Sequence, residues 1–232
     1  MGRAWRSAQF RIISKGATGK AVSLPAKKVM PVGSSDLHGN VPDSSAAALL
    51  LIDVVNDFEF EGGEELLGLA LPVGKPIARL KQATKRAGIP AIYVNDNFGK
   101  WRSDLNKIVS HCTGAGVRGK PFVELLLPEE SDYFVLKPKH SGFFSTTLEL
   151  LLEHLGARTL ILVGIAGNNC VLFTANDAYM RDFKIVVPSD CVVSQSEKEN
   201  QYALQQMAKV LKADTRPAGG LNLESLKDGS SQ

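Results

Sequence analysis

The chain has 232 residues, of which 44% are hydrophobic and 22% are charged, as is ordinary for a globular protein with a sizeable core. Its longest apolar runs are far shorter than the ~20 residues of a membrane-spanning helix, so no membrane segment is expected. The net charge is +3, but residues 1–45 alone carry seven basic and two acidic side chains. The rest of the chain is therefore slightly acidic, and we expect no nucleic-acid partner.

The cysteines indicate the redox compartment. Their number is odd, and their spacing matches neither a disulfide framework nor a CxxC metal site, since they stand at Cys112, Cys170 and Cys191. This usage favours a reducing compartment and predicts a cytoplasmic protein.

Residues 1–45 are expected to lie outside the folded domain. They lack sustained hydrophobic periodicity, are rich in Ser, Gly and basic residues, and contain no acidic residue before Asp36. The composition fits either a flexible basic arm lying across a neighbouring subunit or an organelle transit segment, in which case the protein would be organellar. Residues 216–232 are predicted to form a flexible C-terminal tail, which leaves 46–215 as the domain.

Within that domain, short apolar runs alternate with helical patterns. The runs predict strands at 46–52, 89–94, 133–136, 160–163 and 185–187, and the helical patterns lie at 74–87, 104–112, 146–155, after 170 and at 197–211. This alternation predicts an α/β fold with a doubly wound, mainly parallel sheet and helices on both faces.

Three chemically active side chains stand at the ends of predicted strands. Asp53 follows the first strand, Lys137 ends the third, and Cys170 comes after the turn that follows the fourth. Ligands of such sheets bind at the carboxyl ends of the strands, so the three groups would converge if their strands are neighbours. Cys170 would lie in the first turn of a helix, where backbone N–H groups and the helix dipole lower the pKa of a thiol.

These groups suffice for nucleophilic catalysis. Asp53 would exchange the proton as general base and acid, Lys137 would stabilise the charges of Asp53 and Cys170, and the sulfur would attack a carbonyl carbon. Backbone N–H groups of the 164–170 turn would hold the oxyanion. Taken singly, each residue also fits a structural role: a helix or turn cap, a solvated strand end, or a small buried side chain. Their joint arrival favours catalysis.

Four stretches resemble the isochorismatase-like cysteine hydrolase superfamily, which includes nicotinamidases, N-carbamoylsarcosine amidases and isochorismatases. The resemblance runs from about Ala47 to Leu211 and rests on LLLIDVVNDF at Leu49–Phe58, LKPKHSGFFSTTLELLL at Leu136–Leu152, LILVGIAGNNCVLFTANDAYMRDF at Leu160–Phe183 and VVPSDCVVS at Val186–Ser194. It implies that Asp53, Lys137 and Cys170 are the catalytic residues. It also implies a non-proline cis peptide between Ile165 and Ala166, with the N–H groups of Ala166 and Cys170 forming the oxyanion hole.

The resemblance also bears on the substrate. Nicotinamidases carry a DxHxxH-like metal block after the second strand, whereas this chain has YVNDNFGKWRSD, with Asp96 present but Phe98 where the first His would fall. We therefore expect no metal and no cofactor. Because Cys170 is retained, hydrolysis of a small amide-type C–N bond through a thioester is predicted. The alternatives are an isochorismatase-type vinyl-ether hydrolase that uses Asp53 as the acid, and a non-catalytic binding or assembly module.

The remaining expectations concern the pocket and the assembly. Aromatic and amide side chains near the strand ends predict a substrate pocket lined by Phe58, Asn97, Phe98, Trp101 and Phe143. Packing of a lid or a subunit contact would explain Phe58, Phe98 and Trp101 equally well, and for Phe143 core packing is slightly favoured. The expected partner is a small-molecule substrate. Family members commonly form dimers or tetramers, so the resemblance implies a homo-oligomer.

Overall fold

Strand β1 forms the centre of the sheet because its residues, AALLLI, are all buried. Side chains alternate across a strand, so Ala48, Leu50 and Ile52 pack into one hydrophobic cluster while Leu49 and Leu51 pack into a second on the other face. A continuous apolar run is what a parallel strand with two covered faces requires. The computed structural model describes residues 43–98 and 104–229.

The described strands form a six-stranded sheet in the order β3-β2-β1-β4-β5, with the short β6 paired to the end of β4, and these pairs are parallel. The strands are β1 (Ala47–Ile52), β2 (Ala91–Asp96), β3 (Tyr133–Lys137), β4 (Thr159–Ile165), β5 (Lys184–Val186) and β6 (Val192–Val193). The predicted parallel α/β fold is thus confirmed.

Helices cover both faces of the sheet. One face carries α4 (Leu148–Leu155), α5 (Leu172–Tyr179) and α6 (Glu197–Val210). The other carries α1 (Gly63–Ala87), α2 (Leu105–Cys112), α3 (Lys120–Val123) and, at its edge, α7 (Leu223–Lys227). None of the described helices has the length and hydropathy needed to cross a membrane.

Helix α1 is longer than the sequence predicts. It begins at Gly63 rather than at residue 74 and contains Pro72 and Pro76. Prolines remove backbone donors and usually end a helix, but here buried side chains such as Leu66 and Ile77 hold both halves against the sheet. Tertiary packing therefore outweighs the local propensity for a break.

The expectation of a flexible C-terminal tail is wrong for residues 216–229. This segment contains a 3₁₀ turn at Ala218–Gly220 and helix α7. Leu223 and Leu226 of α7 pack against buried core residues, and the N–H of Ala46 donates to the carbonyl of Lys227 at 2.9 Å. This leucine spacing gives α7 an apolar face, and burial of that face holds the segment against the core. Residues 1–42, which make up most of the basic N-terminal segment, lie outside the described residues.

Candidate active site

The three candidate side chains reach one edge of the sheet from strands that are not all adjacent. Asp53 follows β1, Lys137 ends β3, and β2 lies between them, with Asp96 of β2 in register with Lys137. Cys170 follows β4, on the other side of β1. The sequence-based condition that the three strands be neighbours is therefore not met. The long side chain of Lys137 makes up the difference by reaching across β2.

The structure nevertheless brings the three groups into contact. The ammonium nitrogen Nζ of Lys137 lies 2.8 Å from Oδ2 of Asp53 and 3.5 Å from Sγ of Cys170. It also donates to the carbonyl of Lys139 at 3.2 Å. The Lys137 side chain is fully buried and that of Asp53 is 9% exposed, whereas Cys170 is half-buried. Of the three residues, Cys170 is therefore the least buried.

Asp53 is held in an uncommon backbone conformation. Its φ is +50°, in the left-handed region that non-glycine residues seldom adopt. Two hydrogen bonds hold it there: its own N–H donates to the carbonyl of Val94 at 3.0 Å, and its Oδ1 accepts from the N–H of Asp96 at 2.7 Å. Both partners lie on β2, so this strand fixes the position of the carboxylate.

The turn that carries Cys170 is packed closely on its neighbours. The peptide bond between Ile165 and Ala166 is cis, and residues Gly167–Val171 form a π-helical turn ahead of α5. A Cβ on Gly167 would lie 2.6 Å from Oδ1 of Asn200 and 2.8 Å from Oγ of Ser194. Only glycine therefore fits at this position.

Ser194 and Asn200 support that turn, and the sequence reading assigned them no role. Oγ of Ser194 accepts from the N–H of Asn168 at 3.0 Å and donates to Oδ1 of Asn200 at 3.0 Å. The amide of Asn200 donates in turn to the carbonyl of Val192 at 3.0 Å. Ser194 ends the VVPSDCVVS block, which is the signal in the sequence that pointed to this part of the chain.

The electrostatics differ from the sequence-based expectation at the sulfur. Burial, followed by the negative charge of Asp53, raises the pKa of the Cys170 thiol to about 12, against the opposing effect of Lys137. The prediction of a lowered pKa is therefore wrong, because burial and the nearby carboxylate outweigh the ammonium and the turn. The resting sulfur is a protonated thiol.

The acid–base partners are also perturbed. Burial raises the pKa of Asp53 even though Lys137 and the hydrogen bonds from Cys170 and Asp96 act to lower it. For Lys137, burial alone would lower the pKa, but the opposing effects, of which the negative charge of Asp53 is the largest, outweigh burial and leave the pKa raised. Lys137 is therefore a cation at neutral pH, next to a carboxylate that binds a proton more readily than in water.

Two of the predicted pocket residues belong to the core instead. Phe58 is fully buried, with its ring 5.7 Å edge-on from that of Phe122. Phe143 is 5% exposed and lies against Phe183 and the guanidinium of Arg181. Their positions in the chain suggested a pocket. Burying both apolar rings in the core stabilises the fold more than leaving them partly exposed would.

The other predicted pocket residues follow β2. Asn97 and Phe98 are half-buried, and the N–H of Asn97 donates to the carbonyl of Lys137 at 3.3 Å, which places Asn97 beside the catalytic candidates. Trp101 lies outside the described residues. Cys112 and Cys191 are fully buried, away from any role as an accessible nucleophile.

Two polar side chains that the sequence reading did not place in the site lie next to it. Oδ2 of Asp96 is 3.8 Å from Nζ of Lys137, and Nδ1 of the exposed His140 is 3.9 Å from Sγ of Cys170. Asp96 ends β2, so its position at a strand end, like those of Asp53 and Lys137, could have indicated it. His140 lies in the loop after β3, where no spacing pointed to the sulfur.

The residues at this edge do not fit a metal site. Within residues 43–98 and 104–229, no three His, Cys, Asp or Glu side chains lie together in a way that could hold a metal ion. Phe98 occupies the position of the first histidine of the nicotinamidase-like block, and Oδ2 of Asp96 lies 3.8 Å from the ammonium of Lys137. A metal cation would therefore compete with the ammonium of Lys137 for the carboxylate of Asp96.

Comparison with known proteins adds three findings. A family model described as the isochorismatase domain matches residues 47–215. An uncharacterised isochorismatase family protein of Bacillus subtilis is 44% identical over 167 residues, covering 72% of this chain and 91% of that protein. A ureidoacrylate amidohydrolase of Methylorubrum extorquens is 30% identical over 195 residues, covering 73% of this chain and 75% of that enzyme.

The fold has solved counterparts as well. The crystal structure of N-carbamoylsarcosine amidase from Thermoplasma acidophilum superposes with a TM-score of 0.59 at 25% identity, covering 76% of this chain and 98% of that one.

Proposed function

The chain belongs to the isochorismatase family, and we propose that it is a cysteine hydrolase that cleaves a C–N bond of a small amide-type substrate, with Asp53, Lys137 and Cys170 as catalytic residues. The observation that carries the proposal is the contact of one buried ammonium with both a carboxylate, at 2.8 Å, and a thiol, at 3.5 Å. Relatives named as an amidohydrolase and an amidase support the reaction type.

The first half-reaction acylates the sulfur. Asp53, which shares a hydrogen bond with Cys170, accepts the thiol proton as Sγ attacks the carbonyl carbon of the amide. The carbonyl oxygen of the tetrahedral intermediate becomes an oxyanion, for which the N–H groups of Ala166 and Cys170 are the proposed donors. When the intermediate collapses, the C–N bond breaks and Asp53 returns the proton to the leaving nitrogen, which departs as ammonia or an amine.

The second half-reaction restores the enzyme. Asp53, ionised again, accepts a proton from water as the water oxygen attacks the thioester carbonyl. Collapse of this intermediate breaks the C–S bond, the acid product leaves, and the proton held by Asp53 returns to the sulfur. The net reaction consumes one amide and one water and yields one carboxylic acid and one amine or ammonia.

The raised pKa values fit this sequence of proton transfers. A thiol whose pKa is about 12 is ionised only while its proton moves to the neighbouring base. The ammonium of Lys137 lies close enough to stabilise the negative charge on either partner throughout the transfer. The sulfur is thereby protected from unproductive reactions in the resting enzyme.

The decisive experiment is a screen for ammonia release from nicotinamide, carbamoyl, ureide and aliphatic amide compounds, with the wild type and Cys170→Ala compared with and without a chelator. We expect at least one compound to be hydrolysed by the wild type alone, and a covalent acyl adduct on Cys170 in rapidly quenched samples by mass spectrometry. Turnover by Cys170→Ala would refute the mechanism, and loss of activity with chelator would show that a metal is required.

A further inference from the structure

Asp96 is the most exposed carboxylate in contact with the catalytic candidates. Its side chain is 40% exposed, compared with 9% for Asp53 and 0% for Lys137. Its Oδ2 lies 3.8 Å from Nζ of Lys137, while its Oδ1 accepts from the N–H of Phe98 at 2.6 Å. Of the three charged groups, Asp96 is therefore the one that an incoming molecule meets.

The charges of the other groups cancel. Asp53 and Lys137 form a buried ion pair at 2.8 Å, and the sulfur of Cys170 is a neutral thiol. The carboxylate of Asp96 therefore leaves this group of side chains with one net negative charge on its accessible side. Partial burial reduces the screening of that charge by water.

This arrangement bears on substrate choice. A carboxylate attached close to the scissile carbonyl would be brought next to Asp96 and repelled, whereas an N–H or ammonium group at the same place would be accepted as a donor. We propose that Asp96 is a specificity-determining residue that selects amides with an N–H donor or an ammonium group beside the scissile carbonyl and excludes those with a carboxylate there. The inference rests on the proposed function, because it names the substrate class of that same site.

A purely structural role for Asp96 makes a different prediction. Its Oδ1 caps the turn through the N–H of Phe98, and its own N–H holds Asp53. The substitution Asp96→Asn keeps both hydrogen bonds, since the amide has a carbonyl oxygen and the backbone is unchanged, but it removes the charge. A structural role would therefore leave substrate preference unaltered in this variant. Asp96→Ser, which also keeps an oxygen acceptor, serves if Asp96→Asn does not fold.

The first test compares three amides of similar size: glycinamide, which is cationic, propionamide, which is neutral, and malonamate, which is anionic. We expect the wild type to favour glycinamide over malonamate in kcat/KM. Asp96→Asn should raise the malonamate-to-glycinamide ratio about a hundredfold, since each of the two oppositely charged substrates changes about tenfold relative to propionamide, as for a unit charge acting over ~6 Å at an effective dielectric constant of ~40. The control is Glu153→Gln, which removes an exposed carboxylate of α4 and should leave the ratio unchanged.

The second test does not require turnover. The rates of alkylation of Cys170 by iodoacetate, which is anionic, and iodoacetamide, which is neutral, are measured by peptide mass spectrometry. Asp96→Asn should raise the iodoacetate-to-iodoacetamide ratio several-fold, and Glu153→Gln should not. If amides are hydrolysed but neither ratio changes in Asp96→Asn, the inference is wrong and the proposed function stands. If no amide is hydrolysed and the alkylation ratio shifts, the proposed function is wrong and charge selection by Asp96 stands.

Discussion

The ammonium of Lys137 lies 2.8 Å from the carboxylate of Asp53 although a whole strand, β2, separates the strands that carry them. Both side chains are almost entirely removed from water. A buried pair of opposite charges is tolerated because the charges neutralise each other, whereas a single buried charge strongly destabilises the fold. The stability of the fold and the chemistry of the site therefore depend on the same pair.

The first prediction follows from that dependence. Lys137→Met should lower the free energy of unfolding by about 3 kcal/mol, because it leaves Asp53 buried without its partner. The double variant Asp53→Asn/Lys137→Met, which removes both charges, should recover at least half of the loss. Urea unfolding of the four proteins of the cycle measures the coupling.

The control for this cycle is Lys85→Met, because Lys85 pairs with Glu129 at the exposed surface. Such pairs contribute little, so this variant should unfold close to the wild-type urea concentration. A loss in the double variant equal to that of Lys137→Met would show that the buried pair is not what stabilises this edge of the sheet.

The second prediction concerns the proton transfers. Asp53→Asn should reduce kcat by at least ~10²-fold, since the amide cannot accept the thiol proton. Cys170→Ser should also lose most activity, because a serine hydroxyl is harder to ionise than a thiol. Cys191→Ala, which changes a buried cysteine outside the site, is the matched control and should keep its activity per folded molecule. Near-normal turnover of a vinyl ether by Cys170→Ser would favour the isochorismatase-type alternative instead.

The third prediction concerns the reactivity of the resting sulfur. Because the pKa of Cys170 is raised to about 12, its thiolate fraction at pH 8 is far below that of a free cysteine, and iodoacetamide should label it more slowly. Asp53→Asn removes the nearby negative charge, so this variant should be labelled faster than the wild type although it has lost turnover. Labelling of the wild type faster than a free thiol would contradict the raised pKa.

The fourth prediction gives the pH dependence of stability that the same thiol causes. The folded protein holds this proton more tightly than the unfolded chain, in which a cysteine ionises near pH 8.5. The contribution is therefore complete below about pH 8.5 and is lost progressively as the pH rises towards 12. Thermal unfolding of the wild type between pH 8 and 10 should show a steeper decline than that of Cys170→Ala.

The fifth prediction concerns the turn that carries Cys170. Gly167→Ala should cost about 1–3 kcal/mol of stability and lower activity as well, because the added Cβ would meet Asn200 and Ser194 at less than 3 Å. Gly68→Ala is the matched control, since this glycine lies in helix α1 with open space around its Cβ position. Alanine there should be neutral or slightly stabilising. Equal losses of stability in both variants would show that close packing around Gly167 does not cause the effect.

The sequence predicts the fold well where one local signal dominates. The run that became β1 could be recognised because burial on both faces requires an unbroken series of apolar residues. The start of α1 could not, since Pro72 and Pro76 indicate a break that only the packed structure overrides. The two residues of β6 are too few to give any period, and the leucines of α7 follow a helical spacing that is too short to distinguish from a tail.

The site shows the same division. Asp53 and Lys137 could be found from their positions at strand ends, but the strand order that places β2 between them depends on long-range pairing. The pKa of Cys170 could not be predicted, because the sequence does not show how far the sulfur is buried or how close Asp53 lies. For the same reason the sequence does not show which aromatic rings line a pocket and which fill the core, as Phe58 and Phe143 do.

The ammonium of Lys137 has three N–H bonds and three close acceptors: a carboxylate oxygen, the carbonyl of Lys139 and the sulfur. None of the three N–H bonds is available to bind a substrate, and the ammonium cannot rotate freely. In the proposed reaction it would therefore act as a fixed positive charge, already oriented before a substrate binds. In the proposed mechanism, we therefore expect other side chains near Cys170 to recognise the substrate.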